Sequence, residues 1–340
     1  MKTGFPLSTW TAVICVLMSE MWLSKTSGAD SRVFGSGVNQ FNMEFVSIGD
    51  PNNANDTTGT PNPAGSVGYA YNMGKFEVSE DMITKFNASQ TLQITTANRG
   101  LNKPATSVSW NEAARFVNWL NTSTGGFAAY KFTTTGVNDN IALWTPTDTL
   151  DYNPGNLYRS RRADYVLPST NEWYKAAYFD PNTGQYFNFP NGRDTAPQAV
   201  VSGTDDNTAV YTDVPVKPPV PPPAGPADIM LAGGLSPYGV MGMGGNAFEW
   251  EETAQFLSNS DPTSRRGARG GYWLSGSSDL SSSNRTDIAP GLEVSAVDYV
   301  GFRVVSLAVV PEPSSWVLAL IGISGFLYRS RMGKKRLNGK

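Results

Sequence analysis

Two side chains that carry much of enzyme chemistry are missing or nearly missing from this sequence. The 340 residues include no histidine and one cysteine, Cys15. A chain without them cannot form a Ser-His-Asp triad, a Cys-His pair, a thiolate copper site or a zinc site of the usual His/Cys kind. We interpret the segment around Cys15 as an export signal, so the mature body also lacks disulfides. Its core and any bound ions must then supply its stability.

Charged residues are also scarce, and eight of the 26 basic residues lie in the two terminal segments outside the body. Charged residues make up 16% of the chain, against 34 Gly and 23 Pro, which favours a loop-rich fold over a helical bundle. Residues 30–310 keep 18 of the 26 basic residues and 27 of the 29 acidic ones, a net charge of −9. This acidic balance argues against nucleic acid or anionic lipid as a partner of the body.

The N-terminal 29 residues are typical of a secretory signal peptide. Lys2 precedes a short apolar run at 12–18, and Ser27-Gly28-Ala29 is a small-residue cleavage site. An uncleaved anchor is the alternative. Both interpretations predict that the body is exported through the inner membrane.

The C-terminal segment, 310–340, combines a short motif, an apolar run and a basic cluster. VPEPS at 310–314 contains Pro311, Glu312 and Pro313, and the apolar residues 316–328 precede Arg329 and Arg331. The run would span about 20 Å as a helix, short of a full bilayer core. Cations stay on the cytoplasmic side, so the body would lie outside.

This order of features resembles the PEP-CTERM sorting signal of Gram-negative bacteria. The resemblance implies a membrane anchor that an exosortase-type enzyme processes, with the protein ending in the cell envelope, at the surface or outside the cell. An ordinary tail anchor is the alternative and predicts the same topology.

The body is predicted to be one domain, 43–307, after a polar and mobile leader at 30–42. Alternating patterns predict strands at 43–48 and 69–78, with a loop at 50–66. Helix starts are predicted at SED (79–81) and at the capping boxes SWNE (109–112) and STNE (169–172). The Pro-rich loop 214–227 is expected to be a solvent-exposed spacer, or alternatively a strap that docks in an aromatic groove.

Five sequence blocks occur in a fixed order along the body. They are NMGKFEVS (72–79), KPATSVSW (103–110), LPSTNEWYKAA (167–177), SPYGVMGMGGNAFEW (236–250), and RGGYW (269–273) followed by GFR (301–303). Together they resemble the formylglycine-generating enzyme family, also called the sulfatase-modifying factor family, over about 43–306. The resemblance implies an α+β, loop-rich, C-type-lectin-like single domain.

The large side chains of these blocks are predicted to be structural. Trp110, Trp119, Trp173 and Trp250 are expected to fill the core. Arg303 is expected to pair with a buried carboxylate, for which Glu249 is the candidate.

The chain departs from the family at the positions that bind copper. In the oxidases of the family two cysteines bind copper(I), and those positions fall on Ser275 and Leu280 here. Soft copper(I) requires thiolates, which neither side chain can replace. We therefore expect no copper and no formylglycine formation from this cysteine-less relative.

The resemblance also implies calcium. Gly245, Ala247 and Glu249 match calcium-ligand positions of the family, while a further side-chain ligand position falls on Gly242. Loss of one oxygen ligand would weaken such a site without abolishing it. Alternatively, Glu249 only accepts hydrogen bonds.

The sequence leaves three functions open. The first is a non-catalytic module that binds a glycan, such as exopolysaccharide, or a surface protein, with candidate loops at 275–290 and 182–194. The second is an enzyme of the same family with chemistry independent of His and Cys. It would rely on carboxylates, and the available ones are Glu249, Glu251, Asp279, Asp287 and Asp298. The third is a structural protein of the extracellular matrix.

Overall fold

The computed structural model describes residues 30–212, 224–292 and 298–307. The predicted signal at 1–29, the sorting motif and tail at 310–340, and most of the Pro-rich loop lie outside these ranges. Within them, no helix combines the length and the apolar character needed to cross a membrane.

In the described ranges, three α-helices and thirteen short strands are connected by long irregular segments. The helices are α1 (Glu80–Asn87), α2 (Trp110–Ser123) and α3 (Thr170–Tyr178). The strands are β1 (Asp30–Phe34), β2 (Phe41–Ile48), β3 (Tyr71–Gly74), β4 (Tyr165–Val166), β5 (Phe179–Asp180), β6 (Gln185–Tyr186), β7 (Gln198–Val200), β8 (Thr208–Val210), β9 (Phe248–Ala254), β10 (Arg266–Arg269), β11 (Thr286–Ile288), β12 (Val300–Gly301) and β13 (Val305–Ser306).

The first sheet joins both ends of the described chain in the order β1-β2-β3-β13-β4. The sequence predicts a mobile leader at 30–42, and this prediction is wrong. Residues 30–34 pair antiparallel with β2, with Phe34 opposite Phe41. Phe34 is buried and makes an edge-to-face contact with Tyr165 at 5.1 Å. This apolar anchor outweighs the polar composition of the segment.

The second sheet carries the family's fourth and fifth blocks. Its order is β11-β10-β9-β12, and β12 runs parallel to β9. Two further pairs, β5-β6 and β7-β8, stand apart as two-stranded ribbons. The predicted strand at 69–78 is shorter than expected, because the chain bends at residues 75–76 and only Tyr71–Gly74 remains in the ladder.

All three predicted helix starts are confirmed. The Ser79 side chain accepts from the Met82 amide, which satisfies one of the free amides at the start of α1. Ser109 and Glu112 form a complete capping box on α2, and Ser169 and Glu172 form another on α3.

The helices and the two large sheets enclose one core. Trp110, Trp173 and Trp250 are fully buried, as predicted, whereas Trp119 on α2 is only partly buried and lies at the edge of the core. The expected α+β, loop-rich fold of a single domain is confirmed.

Candidate functional site

The two positions that would bind copper in the family lie side by side around Gly271. A Cβ atom placed on Gly271 would stand 2.9 Å from Leu280 Cδ1 and 3.3 Å from Ser275 Cβ. Both residues are buried. The Ser275 hydroxyl accepts from the Tyr272 amide at 3.0 Å, and the Leu280 carbonyl accepts from the Tyr178 hydroxyl at 3.1 Å. Both side chains therefore approach the same point above Gly271, and neither offers a thiolate.

A cavity of about 10 Å³ lies nearby, lined by residues that include Pro190, Met243 and Gly244. This volume suits about one water molecule and no substrate peptide. The side chain of Leu280 packs against Gly244 from the other side, at 3.4 Å from a Cβ placed there.

The two predicted binding loops, 182–194 and 275–290, contact each other. The Ser282 amide donates to the Asn188 carbonyl at 2.8 Å. Pro190 and Leu280 approach Gly244 together, within 3.4 Å of the position its Cβ would take. The two loops therefore meet beside Leu280.

Strand β9 carries three fully buried glutamates, and each one binds an arginine. The predicted pair is confirmed: both carboxylate oxygens of Glu249 accept from Arg303, and one also accepts from Trp173 Nε1 at 2.7 Å. Glu251 binds Arg269 at 2.6 Å and Arg285 at 2.7 Å. Burial opposes ionisation of Glu251, but the two guanidinium groups outweigh it and keep the pKa of Glu251 below its ordinary value.

Glu252 belongs to a second ion-pair network. Its carboxylate binds Arg159 at 2.8 Å, and Arg159 also binds Glu172 of α3 at 2.9 Å. Burial raises the pKa of Glu172, yet the Arg159 charge and its hydrogen bonds bring the net shift below the ordinary value. These pairs join the second sheet to α3.

The carboxylates considered for hydrolysis are mostly occupied by arginine. Glu249 and Glu251 are paired as above, Asp287 pairs with Arg265, and Asp298 pairs with Arg99. Asp279 accepts from the Asn284 side chain at 3.3 Å. Four of the five are therefore held by arginine, an arrangement that does not suit the proton transfers of glycoside hydrolysis.

The calcium ligands suggested by the family pattern do not fit the ion. The carbonyl of Gly245 already accepts from the Ala247 amide at 2.8 Å, and both oxygens of Glu249 are occupied by Arg303. The Arg303 guanidinium group, hydrogen-bonded to Glu249, would repel a divalent cation placed beside the same carboxylate. In the described ranges, no cluster of three His, Cys, Asp or Glu side chains could hold a metal ion.

The position expected for a further calcium ligand, Gly242, faces the carboxyl group of Glu77. A Cβ on Gly242 would stand 2.9 Å from Glu77 Oε1. Glu77 is buried, its Oε1 accepts from Asn246 Nδ2 at 2.8 Å, and its Oε2 has no hydrogen-bond partner among the described residues. Burial raises the pKa of Glu77 to about 8. The sequence signal for this residue is an acid between the apolar residues Phe76 and Val78.

A larger concave surface lies elsewhere, beside α2. We call it the aromatic groove; its volume is about 440 Å³. Five aromatic side chains line it: Phe86, Trp119, Tyr130, Phe132 and Trp144. Two cations, Arg115 and Lys131, and polar residues such as Gln90, Asn118 and Thr122 complete the lining.

Hydrogen bonds from α2 position the far wall of the groove. The side-chain amide of Asn118 donates to the Tyr130 carbonyl at 2.7 Å and accepts from the Tyr130 amide at 2.8 Å. Arg115 lies 3.8 Å above the Phe132 ring and donates to the carbonyls of Val137 and Gly136. These contacts fix the guanidinium group against the ring.

The second cation of the groove is anchored in the same way. Lys131 binds both oxygens of Asp148 at 2.8 Å and lies 5.7 Å from the Trp144 ring. Trp144 Nε1 donates to the Ala129 carbonyl at 3.0 Å, which leaves its ring to face the groove. Sequence analysis missed this wall because 121–163 has no regular pattern. The available signal was the mixture of cations and aromatics at 130–132 and 144.

The fold and these blocks agree with comparisons to known proteins. A family model described as the sulfatase-modifying factor enzyme 1-like domain matches residues 40–308. A search of curated proteins finds no match. Among solved structures, Treponema denticola variable protein 1 is similar at a TM-score of 0.53 and 17% identity, with 82% of this chain and 99% of that chain covered.

Two further solved structures show weaker similarity. CarF matches at a TM-score of 0.47 and 17% identity, over 82% of this chain and 96% of its own. PvdO from Pseudomonas aeruginosa matches at a TM-score of 0.43 and 17% identity, over 83% of this chain and 99% of its own. Because the family model covers most of the described body, this chain belongs to the sulfatase-modifying factor enzyme 1-like (FGE-sulfatase) family.

Proposed function

We propose that this protein is an exported, envelope-associated binding module that uses the family's fold without oxidase chemistry, and that its ligand is a glycan. The observation that supports this most directly is the contrast between the buried positions of Ser275 and Leu280 and the open aromatic groove. The position of the copper pair is packed with Ser275 and Leu280, while an aromatic groove of about 440 Å³ is open on α2. Ligand sites are commonly concave surfaces with apolar walls and a few placed polar groups.

Aromatic rings with amide and hydroxyl neighbours suit sugars, because a pyranose ring has an apolar face and a polar rim. The groove offers partly exposed Trp119, Phe132 and Trp144 beside Gln90, Asn118 and Thr122. Export and a sorting tail processed by an exosortase-type enzyme would place such a module where exopolysaccharide is found. A surface protein is the alternative ligand, and a purely structural matrix role would show no saturable binding.

Calorimetric titration of the full-length chain with the host's own exopolysaccharide tests this function. We expect saturable heat, unchanged by a calcium chelator. Absence of heat with every glycan offered would reject the glycan-binding function. Saturable binding of a surface protein instead would assign the module to that partner.

Export is tested separately by cell fractionation with the sorting motif changed. Replacing Glu312 with Ala should leave an unprocessed, membrane-bound form in place of the released one. Equal processing of the variant and the wild type would reject the exosortase proposal.

A further inference from the structure

The charge around the aromatic groove contrasts with that of the rest of the body. Residues 30–310 have a net charge of −9. Among the described residues that line the groove, none is Asp or Glu, while Arg115 and Lys131 are both present. A local positive site on an acidic protein attracts anionic ligands and directs them to one place.

Of the two cations that line the groove, Arg115 has the less compensated charge. No carboxylate lies within 4.0 Å of its guanidinium group in the part of the chain that the structure describes, and its nearest acidic neighbour by electrostatic influence is Asp139. Lys131, by comparison, forms a salt bridge with Asp148. An anion in the groove would therefore meet Arg115 as its main charged partner.

The guanidinium group of Arg115 is also held in place before any ligand arrives. Its Nε and Nη2 donate to the carbonyls of Val137 and Gly136 at 2.9 and 2.6 Å, and its plane lies over Phe132. Nη1 makes no hydrogen bond to any described residue of the chain. A donor held rigidly costs little conformational entropy when it binds a carboxylate.

We propose that the aromatic groove binds an acidic polysaccharide, with a sugar ring on Trp119 or Trp144 and a uronate carboxylate on Arg115. This inference rests on the proposed glycan-binding function and names the class of glycan. The aromatic rings supply contact with the sugar faces, and the charge of Arg115 selects acidic sugars over neutral ones. Lys131 adds positive potential at the same wall.

The test uses a short oligogalacturonate and its methyl ester, which differ only in the charge of their carboxyl groups. Each is titrated into the full-length chain at low and at high salt. We expect the acid form to bind, the ester to bind at least about tenfold more weakly, and high salt to reduce the difference. Equal affinity for the two forms would overturn the assignment of an acidic ligand.

A matched pair of variants locates the site. Arg115→Gln should weaken binding of the acid about tenfold, whereas Arg115→Lys should recover part of it. Arg162→Gln is the control, because Arg162 lies 3.7 Å above Phe127 in the same kind of stack outside the groove. Wild-type affinity in Arg115→Gln would overturn the groove assignment and leave the glycan-binding function standing.

Two further outcomes separate the proposals. If neither oligogalacturonate nor the host's exopolysaccharide binds, the proposed function itself fails. If short polyglutamate binds as tightly as the acid sugar and competes with it, the groove takes an acidic peptide, and the assignment to polysaccharide is overturned.

Discussion

Four of the buried glutamates of this domain, Glu77, Glu249, Glu251 and Glu252, contrast in whether an arginine forms a salt bridge with them. Glu249, Glu251 and Glu252 each bind arginine, so their charge is compensated inside the core. Glu77 accepts from the Asn246 side-chain amide, and in the part of the chain that the structure describes its Oε2 atom has no partner. Burial of a carboxylate without a hydrogen-bonded counter-charge costs several kcal/mol, which the group avoids by keeping its proton.

Substitution of Glu77 tests this directly through pH. Its pKa is raised from 4.5 to about 8 in the folded chain. Between these values the unfolded chain releases the proton and the folded chain keeps it, so the wild type loses stability as pH rises to about 8. Glu77→Gln removes that loss, and its advantage in Tm should grow from about pH 5 to about pH 9. Glu44→Gln, at a partly exposed carboxylate paired with Lys75, is the control. The same Tm difference between Glu77→Gln and the wild type at about pH 5 and at about pH 9 would contradict the prediction.

Replacement of the residue pair at Gly271 tests whether the backbone still supports the family's metal site. Ser275 and Leu280 flank one point. The double variant Ser275→Cys, Leu280→Cys should therefore gain copper(I) binding that the wild type and the Leu280→Cys single variant lack, because two thiolates are needed. Competition with a colorimetric copper(I) chelator measures the copper(I) affinity of each variant.

Removal of the buried isobutyl group of Leu280 should lower the free energy of unfolding by about 1–3 kcal/mol. Denaturant unfolding of the Leu280→Cys variant checks this value before copper is added.

At the scale of elements, the start of α3 combines a local cap with a long-range ion pair. The Ser169 hydroxyl accepts a hydrogen bond from the Glu172 amide. The Glu172 carboxylate accepts from the Ser169 amide, from Arg159 and from the Tyr69 hydroxyl. Ser169→Ala should cost about 1 kcal/mol. Glu172→Gln should cost about 3 kcal/mol or more, because it leaves the buried Arg159 with Glu252 alone. Urea unfolding of the two variants measures both values, and the reverse order would contradict this account.

The elements also show which features the sequence could predict. Capping boxes are local, so the starts of α2 and α3 follow from four residues each. The pairing of β1 with β2 depends on Phe34 reaching Tyr165, more than 130 residues away, and no local pattern contains that contact. The Arg303–Glu249 pair was predictable because both residues belong to family blocks. The aromatic groove was not, because its wall at 130–144 is irregular and is positioned by Asn118 of α2.

At the scale of the molecule, cohesion comes from aromatic packing and buried ion pairs. The described body contains no cysteine, and its core includes Trp110, Trp173 and Trp250 at full burial. Arg303, Arg269 and Arg159 each join separate segments to β9 through a buried glutamate. Such pairs are costly to break one partner at a time, which ties the second sheet to the rest of the fold.

This source of stability predicts how the whole protein responds to calcium. A ligand that binds only the folded state raises Tm, and the rise grows with the ratio of the free ligand concentration to Kd. The Glu249 oxygens are occupied by Arg303 and Trp173, so calcium finds no side-chain ligand at the family's position. We expect an unchanged Tm on addition of excess calcium and again with a chelator, measured by calorimetry. A calcium-dependent Tm in the wild type would mean that the ion displaces the guanidinium group from Glu249, which would contradict the prediction.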